Sequence, residues 1–235
     1  MQTYRGIFFD LDGTLLDTLT DLAASVNRIL ERHGFPLRTE EEIRRFLGNG
    51  SKALLQAAVG QPLPEAVFAQ YLAEYEADYD AHKEEHTRPY AGILPLLEEL
   101  RQAGLVVGVV SNKFDGAVWG LCDTYFGGRL DGAVGEQEER GIRRKPAPDL
   151  LFALAEQLGV PPQACLYVGD SEVDLETARQ AGMDCISVAW GFRTEEELRA
   201  AGAGCVVRTP KELGGELHRL CKEGRLETPQ SRKSV

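Results

Sequence analysis

What this chain lacks narrows its options first. No apolar run approaches the roughly 20 residues that a bilayer-spanning helix needs. The opening stretch MQTYRG has no charged segment leading into a signal-type apolar run and cleavage site. The chain is therefore expected to be cytoplasmic, with no membrane association. Basic residues are in deficit: 26 Lys+Arg against 37 Asp+Glu give a formal net charge of −11. That balance argues against nucleic acid or an anionic membrane as partner, since both need basic surface. The five cysteines, Cys122, Cys165, Cys185, Cys205 and Cys221, contain no C-x-x-C spacing. An odd, well-spread set argues against a disulfide framework and fits a reducing compartment. Cys165, Cys185 and Cys205 lie beside apolar runs and read as small core residues. No internal repeat is present.

What is there is ordinary for a globular protein: 235 residues, 43% hydrophobic and 27% charged. That length allows one large domain, or a core domain with a smaller companion. Compact apolar runs bounded by Gly or polar residues predict strands at 6–10, 105–111, 165–169 and 185–189, with shorter runs at 132–135 and 205–207. Helical patterns fill the gaps at 93–103, 146–158, 172–181 and 195–201. Continuous apolar strands alternating with helices predict an α/β fold, a Rossmann-like parallel sheet covered on both faces. Ligands of such sheets sit beyond the carboxyl ends of the strands.

One interval breaks the alternation. Residues 17–86 read as helices without a convincing strand. LAASVNRILERHG and AVFAQYLAEYEADYDAH have amphipathic spacing, and Thr39-Glu40-Glu41-Glu42 reads as a capping box. A helical block after the first strand is best explained as an inserted α-helical cap domain. The division expected is a core of 1–16 and 87–222, a cap of 17–86, and a frayed polar tail of 223–235.

The stretch FFDLDGTLLDT, residues 8–18, drives an apolar strand straight into Asp10, with Asp12 two residues on. In extended chain these two acids point to the same side. Carboxylates held close repel unless a cation neutralises them, and hard oxygen donors favour Mg2+. An Asp-Gly turn with Asp12 as its cap is the alternative. Other strand ends carry the same kind of group. Ser111-Asn112-Lys113 closes one strand, and Gly169-Asp170 closes another with Asp174 one helical turn later. Lys145-Pro146 precedes a helix in which Pro146 suits the first position. Acids, a hydroxyl and lysines thus gather at the rim where this architecture binds ligands.

Asp10-Leu11-Asp12-Gly13-Thr14, Ser111, Lys145-Pro146 and Gly169-Asp170-Ser171-Glu172-Val173-Asp174 together resemble the four motifs of the haloacid dehalogenase superfamily, in order and over nearly the whole chain. Gly48-Asn49-Gly50, Ser111-Asn112-Lys113 and Arg88-Pro89-Tyr90-Ala91-Gly92 are similar to its phosphoglycolate phosphatase branch. The resemblance implies a Mg2+-dependent phosphatase of small phosphorylated metabolites, a monomer or homodimer, with 2-phosphoglycolate as first substrate. Asp10 would be the nucleophile and Asp12 the general acid and base. Ser111 and Lys145 would neutralise the phosphoryl group. Asp10 and Asp170 would bind metal through carboxylates and Asp12 through its backbone carbonyl. Asp174 would be an outer-shell ligand or would orient Lys145, while Thr14, Asn49, Asn112 and Lys113 would meet substrate. The dehalogenating branch lacks an acid at the position of Asp12, so carbon–halogen cleavage is not expected.

Rival readings have their own residues. A sugar-phosphate phosphatase, phosphosugar mutase or pyrophosphatase would share the core; the mutase branch needs a histidine soon after the first motif, where Thr18, Leu19 and Thr20 stand. A phosphoacceptor regulator would be far shorter. His82-Lys83-Glu84-Glu85-His86 matches the H-x-x-E-H of inverted zinc peptidases, but its setting is polar and Pro89 soon follows. Gly48–Lys52 lacks phosphate-loop spacing; it either presents donors to a substrate carboxylate or is a plain helix–helix turn. Trp119 reads as core packing, and Trp190 at the ligand rim has no assigned role.

Overall fold

The computed structural model describes residues 3–226. In chain order the elements are β1 (Gly6–Phe9), β2 (Leu16–Asp17), α1 (Leu19–Arg32), α2 (Glu40–Phe46), α3 (Gly50–Val59), α4 (Glu65–His82), β3 (Arg88–Pro89), α5 (Ile93–Gln102), β4 (Val106–Phe114), α6 (Asp115–Phe126), β5 (Gly132–Glu136), α7 (Asp149–Gln157), β6 (Cys165–Gly169), α8 (Glu172–Ala181), β7 (Asp184–Val188), α9 (Glu195–Ala200), β8 (Val206–Val207) and α10 (Pro210–Lys222). Six strands form one parallel sheet in the order β5-β4-β1-β6-β7-β8.

The sheet explains the apolar runs. Successive side chains point to opposite faces. Ile7, Phe9, Val107, Val109, Leu166 and Val168 therefore enter one buried cluster with α5, α6 and α10. Phe8, Val110, Cys165 and Tyr167 enter another with α7 and α8. Both faces are covered, so strand residues of either parity are apolar. Strand order reverses at β1, which lies between β4 and β6. The carboxyl ends of β1 and β6 thus flank the crevice where such folds bind ligands.

Helices α1–α4 pack around their own cluster. Leu22, Val26, Ile29 and Leu30 recur at helical spacing on α1 and are all buried. The capping box predicted at Thr39 forms, with Glu42 answering it. Phe192 and Ala117 from the sheet side complete the cluster. The chain enters the block through β2 and leaves through β3, which pair antiparallel, Leu16 with Pro89 and Asp17 with Arg88. None of the described helices is long and apolar enough to cross a membrane.

Four expectations need correction. Strand β4 does not end at Ser111; it carries Ser111, Asn112 and Lys113 to Phe114, with a register shift against β5 after Val110. Helix α7 begins at Asp149 behind Pro148, so Pro146 lies in the preceding turn rather than at the first helical position. Trp119 is 47% exposed, because Ala117, Val118, Leu121 and Cys122 form the buried face of α6. The expected frayed tail starts too early: Arg225 pairs with Asp184, and Leu226 is buried and bridges to Tyr4. The rest of that expected tail, 227–235, lies outside the described residues.

Candidate active site

The turn after β1 builds one wall of the crevice. The Leu11 carbonyl accepts hydrogen bonds from the N–H groups of Leu15 and Leu16 at 2.9 and 3.0 Å. Gly13 has φ +80°, and a Cβ there would lie 2.8 Å from Asp170 Cγ, so only glycine fits. This tight turn presents Asp10 and Asp12 to one cavity. Asp10 Oδ1 accepts from the Leu11 N–H at 2.7 Å and meets Lys145 Nζ at 2.9 Å. Asp12 Oδ1 accepts from the Thr18 hydroxyl at 2.7 Å and meets Lys113 Nζ at 3.1 Å.

The opposite wall comes from β6 and α8. Asp170 Oδ1 accepts from the Thr14 hydroxyl at 3.0 Å and Oδ2 from the Phe192 N–H at 2.6 Å. Asp174, fully buried, forms the capping box of α8 with Ser171 through Oδ2. Its Oδ1 takes Lys145 Nζ at 2.7 Å and the Tyr167 hydroxyl at 3.1 Å. Both oxygens of Asp174 are engaged, Oδ2 by Ser171 and Oδ1 by Lys145 and Tyr167.

The electrostatics leave a charge deficit. Asp10, Asp170 and Asp174 bring carboxylate oxygens within 4.8 Å of one another, all buried. Among the described residues Lys145 is the single ammonium bonded to this group, while Lys113 is held by Asp12. Burial, then the Asp174 charge, pushes Asp10 well above the usual carboxylate range, and Lys145 only partly opposes this. Burial and Asp174 likewise push Asp170 up to about 7. Burial alone would lower the titration of Lys145; Asp10 and Asp174 outweigh it and hold its proton firmly. Hard oxygen donors in negative excess fit a divalent cation.

The cavity encloses about 570 Å³ of empty space, its open mouth included. Asp10, Asp12, Ser111, Asn112, Lys113, Lys145 and Asp170 all line it. Leu22, Leu47, Leu54, Tyr75 and Tyr79 of the helical block roof it. Of the residues expected to meet substrate, Thr14 stands outside the cavity lining: it is fully buried and donates to Asp170. Asn112 reaches the cavity, but its amide is tied to backbone, donating to the Gly48 and Lys145 carbonyls and accepting from the Lys145 N–H. Asn49 is exposed and stands outside the lining, as does Lys52. Gly48 and Gly50 on either side of it have positive φ, and that turn brings Gly48, Gly50 and Ser51 to the cavity instead.

The two histidines of the H-x-x-E-H match are bound to different partners, and only His86, with Glu85, has its ligand atoms gathered near Asp21. His82 is the last residue of α4 and its Nδ1 contacts the Asp78 carbonyl, whereas His86 lies beyond the helix with Nδ1 on Asp21. Tyr75, Tyr79, Thr18 and Tyr167 are site residues that the sequence reading missed. The i, i+4 spacing of Tyr75 and Tyr79 marks a shared buried face, the one available signal. Trp190 acquires a role: its Nε1 donates to the Thr14 carbonyl at 3.0 Å and steadies the turn after β1.

Comparison with known proteins points the same way. The family model described as "Haloacid dehalogenase-like hydrolase" matches residues 7–188. A phosphoglycolate phosphatase from Xanthomonas campestris is 32% identical, covering 91% of this chain and 96% of that protein. An N-acetylmuramic acid 6-phosphate phosphatase from Pseudomonas aeruginosa is 33% identical, covering 92% and 96%. A crystal structure from Lactobacillus delbrueckii subsp. bulgaricus, provisionally named a phosphoglycolate phosphatase, superposes with a TM-score of 0.84 at 38% identity, covering 92% of this chain and 99% of its own.

Proposed function

Because this chain belongs to the haloacid dehalogenase-like hydrolases and is a phosphoric monoester phosphatase, we propose that it hydrolyses a small phosphomonoester with Mg2+, 2-phosphoglycolate first, through an aspartyl-phosphate on Asp10. The observation that carries the reading is the convergence of Asp10, Asp12, Lys145 and Asp170 on the crevice between β1 and β6. The metal would be held by the Asp10 and Asp170 carboxylates and the Asp12 backbone carbonyl. Bound there, it would supply the positive charge that Lys145 alone does not, opposite the phosphoryl oxygens.

Asp10 attacks phosphorus with a carboxylate oxygen, and the bond from phosphorus to the substrate oxygen breaks. Asp12 gives its proton to that oxygen, since an alkoxide is a poor leaving group. The ionised Asp12 then takes a proton from water as the water oxygen attacks phosphorus. The bond to Asp10 breaks, releasing inorganic phosphate and restoring Asp10. Ser111 and Lys145 hold the phosphoryl oxygens throughout, and Asp174 keeps Lys145 aimed.

A second reading, a sugar phosphate, has its own support. The roof is apolar and aromatic, and both ammonium groups lining the cavity already face carboxylates. The Pseudomonas relative is named for a phosphosugar. A cytoplasmic setting is consistent with five free cysteines. The deciding experiment is phosphate release from a panel holding 2-phosphoglycolate, hexose 6-phosphates, N-acetylmuramic acid 6-phosphate and pyrophosphate, with Mg2+ and with EDTA. Preference for 2-phosphoglycolate by tenfold or more in kcat/KM is expected; activity undiminished by EDTA would sink the metal reading.

A further inference from the structure

The ammonium of Lys113 is buried for a group of its kind, with its side chain only 5% exposed. Its partners come from two distant parts of the chain. From the turn after β1, Asp12 Oδ1 lies at 3.1 Å. From α4, the Tyr79 hydroxyl accepts at 2.8 Å, and the Tyr79 ring centroid lies at 4.0 Å. Tyr79 itself is 1% exposed and stacks against Tyr75. The Thr18 hydroxyl donates to the same Asp12 oxygen. Two donors thus converge on Oδ1 of Asp12 from different sides, while Asp12 retains 17% side-chain exposure on the cavity.

From this geometry we infer that Lys113 is a positioning residue for Asp12 and that Tyr79 of the helical block holds Lys113 in that role. The inference rests on the reading of Asp12 as general acid and base. A carboxylate free to rotate presents either oxygen; one pinned at Oδ1 presents Oδ2 to the leaving oxygen in a fixed direction. An acid displaced by about 1 Å loses most of its advantage. Lys113 could point elsewhere along its flexible stem, and the tyrosine prevents this by taking one donor and covering the charge with its ring face. Because Tyr79 sits on α4 and Asp12 on the turn after β1, the acid is fully aligned only while α4 rests on the core. The catalytic acid thereby senses whether the roof is seated.

The test is the dependence of rate on the leaving group. p-Nitrophenolate departs with little need of a proton, whereas ethoxide needs one. The quantity to measure is the ratio of kcat/KM for ethyl phosphate to that for p-nitrophenyl phosphate, in the Mg2+-loaded enzyme. Lys113→Met should lower this ratio by about tenfold or more and Tyr79→Phe by a smaller factor in the same direction. The ratio cancels any loss of folded protein, which touches both substrates alike. An unchanged ratio in Lys113→Met overturns the proposal, and if that variant does not fold, an unchanged ratio in Tyr79→Phe does so. A raised KM for 2-phosphoglycolate with the ratio intact would make Lys113 a substrate ligand, again overturning it. Asp12→Asn is the control: if it leaves the ratio unchanged, the reading of Asp12 itself has failed, which is a separate result.

Discussion

Gly13 carries a constraint that no side chain announces. Its φ of +80° disfavours any L side chain, and a Cβ would press on the Asp170 carboxylate. Gly13→Ala should therefore cost about 1–2 kcal/mol in urea unfolding and should also move Asp170. If the alanine variant retains full kcat, the tight approach is not needed for turnover. Asp10→Asn tests the nucleophile directly: the amide cannot attack phosphorus, and kcat should fall by a hundredfold or more, roughly 3 kcal/mol of barrier. Residual activity above that level would exclude a covalent Asp10. Residues such as Asp10 and Asp170 were legible because strand-end acids on an apolar run have few structural explanations. The internal bonds of Thr14 and Asn112 were not legible, because sequence adjacency cannot tell a group facing a cavity from one bonded to a distant carboxylate or carbonyl.

Among the elements, the first turn of α1 is tied to the chain that leaves the helical block. Asp21 accepts from the N–H groups of His86 and Thr87, from the Thr87 hydroxyl and from the His86 ring. Burial alone would raise its titration, but these bonds outweigh burial and hold it below the ordinary 3.8. A depressed carboxylate contributes stability above its ordinary value and loses it as pH falls through the lowered one. Asp21→Ala should thus cost about 1.5–3 kcal/mol at pH 6, and the deficit should shrink as the pH drops below that lowered value. Equal deficits at pH 6 and in that acid range would contradict the assignment. Periodicity revealed α1 and the capping box of α2 because both are local patterns. The antiparallel pair of β2 and β3 was invisible, being two residues long on each side and 70 residues apart. Asn49 was misplaced because two positive-φ glycines set its direction, and those angles depend on packing.

For the molecule as a whole, the buried negative excess around Asp10, Asp170 and Asp174 should make stability depend on divalent cation. A ligand at a hundred times its Kd stabilises by about 2.7 kcal/mol, which for a chain of this size is roughly 5–10 °C in Tm. Mg2+ should produce such a rise and EDTA should reverse it, with no substrate present. Asp170→Asn should show little response. A wild-type Tm indifferent to Mg2+ would remove the metal from the reading while leaving the fold untouched. The sheet itself was readable because apolar strands and intervening helices repeat, and the switch point follows from strand order. The contact from Tyr79 to Lys113 was not, since it joins residues 34 apart across two packing units.

The pairing of Leu16 with Pro89 means that the chain departs for the helical block and returns at neighbouring points. The block behaves as a cassette whose two ends could be closed by a hairpin turn, with Asn-Gly the natural linker between 17 and 88. Such a minimal chain would keep every strand end. It would uncover Ala117, Phe114 and Phe192, which now complete the block's apolar cluster, so polar replacements there would be required to keep it from self-associating. Grafting the equivalent segment of another phosphatase at the same two points would then exchange selectivity, and the phosphoryl chemistry would carry over only where the graft supplies hydroxyls in place of Thr18 on Asp12 and Tyr79 on Lys113.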